Sequence, residues 1–148
     1  MAKFNFKLES VLRLREKLED LKKNEFGAAI RALEKEKAEL LRLEQYKADT
    51  IESFKCSICE GIEPDDIHHH NNYLAKLKVL IKQQHIAIKK AEAFVELKRL
   101  ELVEAMRDRK SLDILKENKF EEYIAEEKQA EQKIIDEVVS YKGSAGKR

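Results

Sequence analysis

The stretch Cys56-Ser57-Ile58-Cys59-Glu60-Gly61-Ile62-Glu63-Pro64-Asp65-Asp66 decides how this chain folds. It contains the single proline of the sequence and one of only four glycines. Gly61 suits the left-handed position that follows a helix end. Pro64 suits the first turn of a new helix, where its missing N–H would have no partner in any case. Asp65 and Asp66 complement the positive end of that helix. No other segment breaks the helical pattern in this way, so two helices meet here at one tight turn.

Downstream of the turn, Ile67, Leu74, Ile81, Ile88, Val95 and Leu102 recur at a strict spacing of seven. A seven-residue repeat keeps one apolar stripe facing a partner helix as the two supercoil. At the accompanying positions, Leu77, Ala91, Ala105 and Leu112 fit a core, whereas Gln84 and Lys98 do not. Phe120, Tyr123, Ala130, Ile134, Val138 and Tyr141 carry the stripe on in a shifted register, so a local change in supercoil is expected between Leu115 and Phe120. Upstream, Val11, Leu14, Leu18 and Leu21 alternate by three and four, and Phe26, Leu33 and Leu40 resume at seven. The step from Leu21 to Phe26 implies a second slip. Gly27 beside it marks a soft point or a close approach, since glycine inside a helix costs about 1 kcal/mol relative to alanine.

These patterns predict an all-α fold, a long two-helix antiparallel coiled-coil hairpin forming a single domain over residues 1–148. The first helix spans about 4–59, the turn about 60–63, the second helix about 64–141, and 142–148 form a flexible tail. The second helix should overhang the first by about 20 residues, each adding a 1.5 Å rise.

Composition agrees. Charged residues make up 40% of the chain, yet the net charge is only +1. Scarce glycine and proline exclude sandwiches, barrels and Gly-rich nucleotide-binding folds. The near-neutral total gives no global attraction to nucleic acid or membrane. Lys76 to Lys90 is the one candidate basic stretch, and it lacks the clustered stacking groups that nucleic-acid binding requires. Met1 to Leu8 has no apolar core like that of a signal peptide, and no apolar run exceeds three residues. A cytoplasmic protein is expected. Charge is also zoned. Cys56 to Asn72 carries four acids and no bases, and Lys76, Lys78, Lys82, Lys89 and Lys90 follow with no acid before Glu92. Glu117 to Glu137 then holds eight acids against Lys119, Lys128 and Lys133. Such zones either solubilise the helix surface or orient it in a charged socket.

The turn offers the one constellation with possible chemistry. Cys56-x-x-Cys59 and His68-His69-His70 flank it, and Cys56, Cys59 and His68 are ligand types that tetrahedral zinc accepts. Three adjacent histidines cannot all face one metal, however, and the plain alternative is a small apolar cysteine pair beside a solvated histidine run. No metal and no cofactor are expected. Nor is an enzyme, because phosphate-binding loops and nucleophile elbows are absent and the carboxylates sit as solvated helical charges.

Four segments together resemble the FliJ family, a soluble component of the flagellar type III export apparatus. Phe4-x-Phe6-x-Leu8-x-x-Val11-Leu12-x-Leu14-Arg15-x-x-x-Glu19 resembles the family's opening. Tyr73-Leu74-x-x-Leu77 with Gln83-Gln84 resembles the start of its second helix. Arg107-x-Arg109-Lys110-x-Leu112-x-x-Leu115-Lys116-Glu117 resembles its mid-helix basic segment, and Glu131-x-Lys133-x-x-Asp136-Glu137 its acidic C-terminal signature. The resemblance implies a coiled coil like the central stalk of rotary ATPases, with no covalent chemistry of its own. It implies three partners: a hexameric export ATPase, the cytoplasmic domain of the membrane-embedded export gate, and export chaperones. The membrane would then be reached only through partners. Carried over by position, the ATPase-facing end is Leu8, Val11, Leu12 and Arg15 on one helix, paired with Asp136 and Glu137 on the other. The gate-binding patch is Tyr73, Leu77 and Leu80. Tyr73 and Leu80 stand outside the seam positions set by Leu74 and Leu77, which favours them as contact residues. The alternatives are the equivalent stalk of a virulence-type III secretion system, a structural coiled coil that dimerises through its stripe, and a zinc-responsive regulator using the Cys/His tip.

Overall fold

The computed structural model describes residues 3–146. Two helices make up nearly all of it: α1, Glu9–Glu60, and α2, Pro64–Ala145. No strand occurs among the described residues. The helices pack against each other as an antiparallel hairpin closed by Gly61, Ile62 and Glu63, the all-α architecture that the repeat predicts.

The turn is built as its residue types require. Gly61 has φ +96°, and its N–H donates to the Ile58 carbonyl at 3.3 Å, closing α1. The Asp66 N–H donates to the Glu63 carbonyl at 3.1 Å, opening α2 with Pro64 as its first residue. At the other end, α2 continues past Tyr141 to Ala145, and the Gly146 N–H donates to the Lys142 carbonyl at 3.0 Å. Lys147 and Arg148 of the expected tail lie outside the described residues.

α1 starts later than its apolar opening suggests. Residues 3–8 are non-helical. Phe4 packs edge-on against Phe120 with ring centroids 5.2 Å apart and lies 5.5 Å from Tyr123, while Phe6 is buried. The spacing of the two rings explains the difference. Residues two apart point to nearly opposite sides of a helix but to the same side of an extended chain. An unwound segment lets Phe4 pack on α2 while Phe6 is buried as well.

The hairpin comprises two compact units. One joins the residues up to Asp20 with those from Glu104 onward, and the other is Leu21–Val103. In the Leu21–Val103 unit the shielded face of α1 runs through Lys22, Phe26, Ala29, Leu33, Glu36, Leu40 and Leu43. That of α2 runs through Leu74, Leu77, Ile81, Gln84, Ile88, Ala91, Val95 and Lys98. Both alternate by three and four without a break. In the other unit Leu12, Arg15 and Glu19 keep the same count, as do Ala105, Arg109, Leu112 and Lys116.

The two expected register slips are therefore absent, because charged residues hold the seam positions where apolar ones are missing. Lys22 takes the place after Glu19, leaving Leu21 51% exposed. Lys116 takes the place after Leu112 and pairs with Glu9 at 2.9 Å. Gln84 and Lys98, unfit for an apolar core, also face inward with partners. Gln84 Nε2 donates to the Glu36 carbonyl at 2.8 Å and to its carboxylate. Polar groups at seam positions fix register because a slipped pairing would strand them. Gly27 is not a close-approach site either: a Cβ there would meet only Arg31 Nη1, at 3.4 Å.

Candidate interaction surfaces

In the unit that joins the two chain ends, Glu19 is the one buried charged residue among the described residues, 4% exposed. Arg109 donates to it and also to Asp113. These hydrogen bonds, with Glu19 first, hold the guanidinium above its ordinary value. Arg15 lies one turn away and donates to Asp108 at 3.4 Å. The resulting tier is a polar lock between the helices, and it gives the sequence-predicted ATPase-facing residues different roles. Leu12 is 2% exposed and belongs to the seam. Leu8 and Val11 are exposed, and Arg15 is partly exposed beside Asp108. Asp136 and Glu137 are exposed as well, with Asp136 accepting from Gln132 Nε2 at 3.0 Å.

The two groups are not brought together. Asp136 follows Lys116, the partner of Glu9, by twenty residues of continuous helix. At 1.5 Å per residue that separation is about 30 Å. Beyond Glu127 every described residue of α2 is exposed, so the overhang predicted from the sequence carries Asp136 and Glu137 away from Leu8. Between the two groups lies an open groove of about 670 Å³ where residues 3–8, an N-terminal strap, cross α2, lined by Lys3, Phe4, Phe6, Leu8, Leu115 and Tyr123 among others. Burial there, aided by the nearby Glu127 carboxylate, raises the Tyr123 hydroxyl above its ordinary value.

In the Leu21–Val103 unit the predicted gate patch also divides. Leu77 is 4% exposed and fills the seam, whereas Tyr73 and Leu80 are 45% and 46% exposed. Leu77 can support this patch but cannot be touched through it. The exposed face is longer than sequence reasoning proposed. Val79, Ile86, Phe94, Leu97 and Leu100 extend it along α2. The signal was present in the sequence as a second repeat, Tyr73, Leu80 and Phe94 falling at multiples of seven, but the stronger seam repeat masked it.

The same unit holds a closed ring of four charges. Lys22 reaches Glu101 at 3.1 Å and Glu25 at 3.3 Å; Lys98 reaches Glu25 at 3.2 Å and Glu101 at 3.3 Å. Hydrogen bonds, to Glu101 first for Lys22 and to Glu25 first for Lys98, raise both ammonium groups above their ordinary value. The same bonds lower Glu25, chiefly through Lys98, and Glu101, chiefly through Lys22.

At the turn, Cys56 and Cys59 are free thiols exposed to solvent. His70 stacks on Phe54, with ring centroids 3.7 Å apart and planes within 6°. His68, the ligand candidate, is exposed. Among the described residues no three His, Cys, Asp or Glu side chains gather as a metal site. Nor is any helix among them long and apolar enough to cross a membrane. The arrangement suits binding through faces and ends.

Residues 4–148 match the family model described as "Flagellar FliJ protein". No curated protein matches the chain. Among solved structures, a YscO homolog, CT670, from Chlamydia trachomatis is similar in fold, with a TM-score of 0.65. The two share 19% identity, and the match covers 98% of each chain.

Proposed function

Since the chain belongs to the FliJ family and is a type III export stalk protein, we propose that it works as a non-enzymatic activator and adaptor at the cytoplasmic face of the flagellar export apparatus. It binds the hexameric export ATPase and promotes its assembly or turnover, and it contacts the export gate and export chaperones. The observation that carries this reading is the family match across residues 4–148 of a hairpin whose buried helical residues lie along the helix–helix seam. Such a chain has only its outer faces and ends to offer, and these are where the candidate residues stand.

Leu8, Val11 and Arg15 form one ATPase contact, with Leu12 holding their helix in place from within the seam. Asp136 and Glu137 form a second contact on the overhang. The separation of about 30 Å along α2 means that the two engage different levels of a ring and not one point. Tyr73 and Leu80 touch the gate, and Leu77 supports them from beneath.

The test is a pull-down of the full chain with export ATPase and gate domain, alongside ATP hydrolysis measured with and without the chain. Tyr73→Ala with Leu80→Ala should remove gate binding and spare ATPase binding. Gate capture unchanged by this pair would refute the placement. A folded chain that neither binds the ATPase nor raises its turnover would refute the activator role.

The fold likeness to the YscO homolog of Chlamydia trachomatis favours a second reading, the equivalent stalk of a virulence-type III system. Deleting the chain from its bacterium separates the two readings. Loss of swimming supports the flagellar role, and intact swimming with lost secretion of other substrates supports the second.

A further inference from the structure

Within the Leu21–Val103 unit, Lys22 and Lys98 are each held by two carboxylates. The five lysines from Lys76 to Lys90 differ: none forms an ion pair among the described residues, and no acid stands between Asp66 and Glu92 to supply one. The helix places Lys76 and Lys90 within an uncovered apolar face, with Lys82 and Lys89 at its edge. At 3.6 residues per turn, Lys76, Gln83 and Lys90 run in a row. Tyr73, Leu80 and Phe94 flank that row on one side, and Val79, Ile86 and Leu100 on the other. All six flanking residues are exposed, and the face points away from the buried Leu77 and Ile88. It therefore presents positive charge interleaved with apolar side chains, and none of its lysines is ion-paired among the described residues.

The chain carries the complementary surface as well. Eight acids lie between Glu117 and Glu137, interspersed with exposed Ile124, Ile134 and Ile135. Past Glu127, α1 shields none of this stretch. We propose that the basic apolar face of α2 around Leu80 and Ile86 receives the acidic C-terminal stretch of α2 from a second copy of this chain. Charge order favours a protein occupant over a lipid surface. A bilayer takes an apolar face into its interior and leaves the cations at the edges, but here Lys76 and Lys90 stand between the two apolar rows. An incoming helix with carboxylates between isoleucines meets that order side chain by side chain. The contact would cover Tyr73 and Leu80 on one copy and Asp136 and Glu137 on the other. Self-association and capture of partners at those residues would then exclude each other. The proposal stands on the two surfaces alone and does not depend on what the partners are.

Sedimentation equilibrium of the full chain tests it. At about 0.05 M salt the mean mass should exceed the monomer's 17.3 kDa, and at about 0.5 M it should fall back to that value as screening weakens the contact. Two charge-reversed chains should each be monomeric at low salt with unchanged circular dichroism: Lys82→Glu, Lys89→Glu, Lys90→Glu in one, and Glu121→Lys, Glu126→Lys, Glu131→Lys in the other. Mixed together they should associate again, since each then offers the face the other lacks. A parent chain that stays monomeric at low salt overturns the proposal, whether or not it sediments with phosphatidylserine vesicles. So does association that survives both reversals, or a mixture that fails to associate.

Discussion

Gly27 and Gly61 should respond to the same substitution with opposite sign. Gly27 lies inside α1, and its φ is not among the positive ones. A Cβ there would meet only Arg31 Nη1 at 3.4 Å, the far end of a flexible side chain that can move aside. Gly27→Ala thus removes the helix-interior cost of glycine with no steric penalty, a gain of about 1 kcal/mol. Unfolding entropy of about 2.1 cal/mol/K per residue over 148 residues turns that gain into a rise of about 3 °C in Tm. Gly61 also faces open space, so its φ of +96° decides the outcome. An L side chain is strained in that region, and Gly61→Ala should cost about 1 kcal/mol, a fall of about 3 °C. The double variant should melt near the parent, because distant and independent changes add. Thermal melts followed by far-ultraviolet circular dichroism measure all three. A Gly27→Ala chain that melts at or below the parent temperature would refute the reasoning, since α1 would then need a bend or close contact at that point.

Leu77→Ala should cost about 2–3 kcal/mol in urea unfolding, the lower part of the range for buried leucine, because a two-helix seam relaxes readily around a small void. Val79→Ala on the exposed side of the same turn should cost far less, and equal losses would refute the assignment of faces. The four-charge ring contributes to the pH profile. Glu25 and Glu101 are lowered from 4.5, so their contribution is full above that value and fades as pH falls through their folded values. Lys22 and Lys98 are raised from 10.5, so theirs is full below that value and fades as pH rises through their folded values. Melting temperature should be flat between these limits and fall beyond both, and Lys98→Met should flatten the alkaline fall. Phe4→Ala should free the N-terminal strap, seen as faster proteolytic trimming before Glu9 while the helical signal from α2 is unchanged.

The hairpin was legible in the sequence because its strongest signals are local. One glycine–proline turn and one seven-residue repeat are enough to specify two antiparallel helices. The details that escaped depend on partners across the seam. Lys22, Gln84, Lys98, Arg109 and Lys116 look like interruptions when only apolar residues are counted. Each is acceptable because a carboxylate or carbonyl from the facing helix, or from a neighbouring turn, reaches it. The unwound strap was hidden for the opposite reason: Phe4, Phe6 and Leu8 fit an apolar helix opening, and only the rings waiting at Phe120 and Tyr123 reveal the extended form. Among the contact candidates, the helical count placed Tyr73 and Leu80 outward correctly. Leu12 could not be distinguished from Val11 until the register across the two helices was known.

The polar lock at Glu19 and Arg109 joins residues 90 positions apart, and Arg15 and Asp108 are 93 apart. During synthesis, then, the opening turns of α1 leave the ribosome long before their counterparts are translated. Leu12, Glu19 and the strap phenylalanines spend that interval without the surface they are shaped to meet, while the residues nearest the bend can already zip together. The seam therefore closes from the bend outward, and the tier around Glu19 is the last part of it to form.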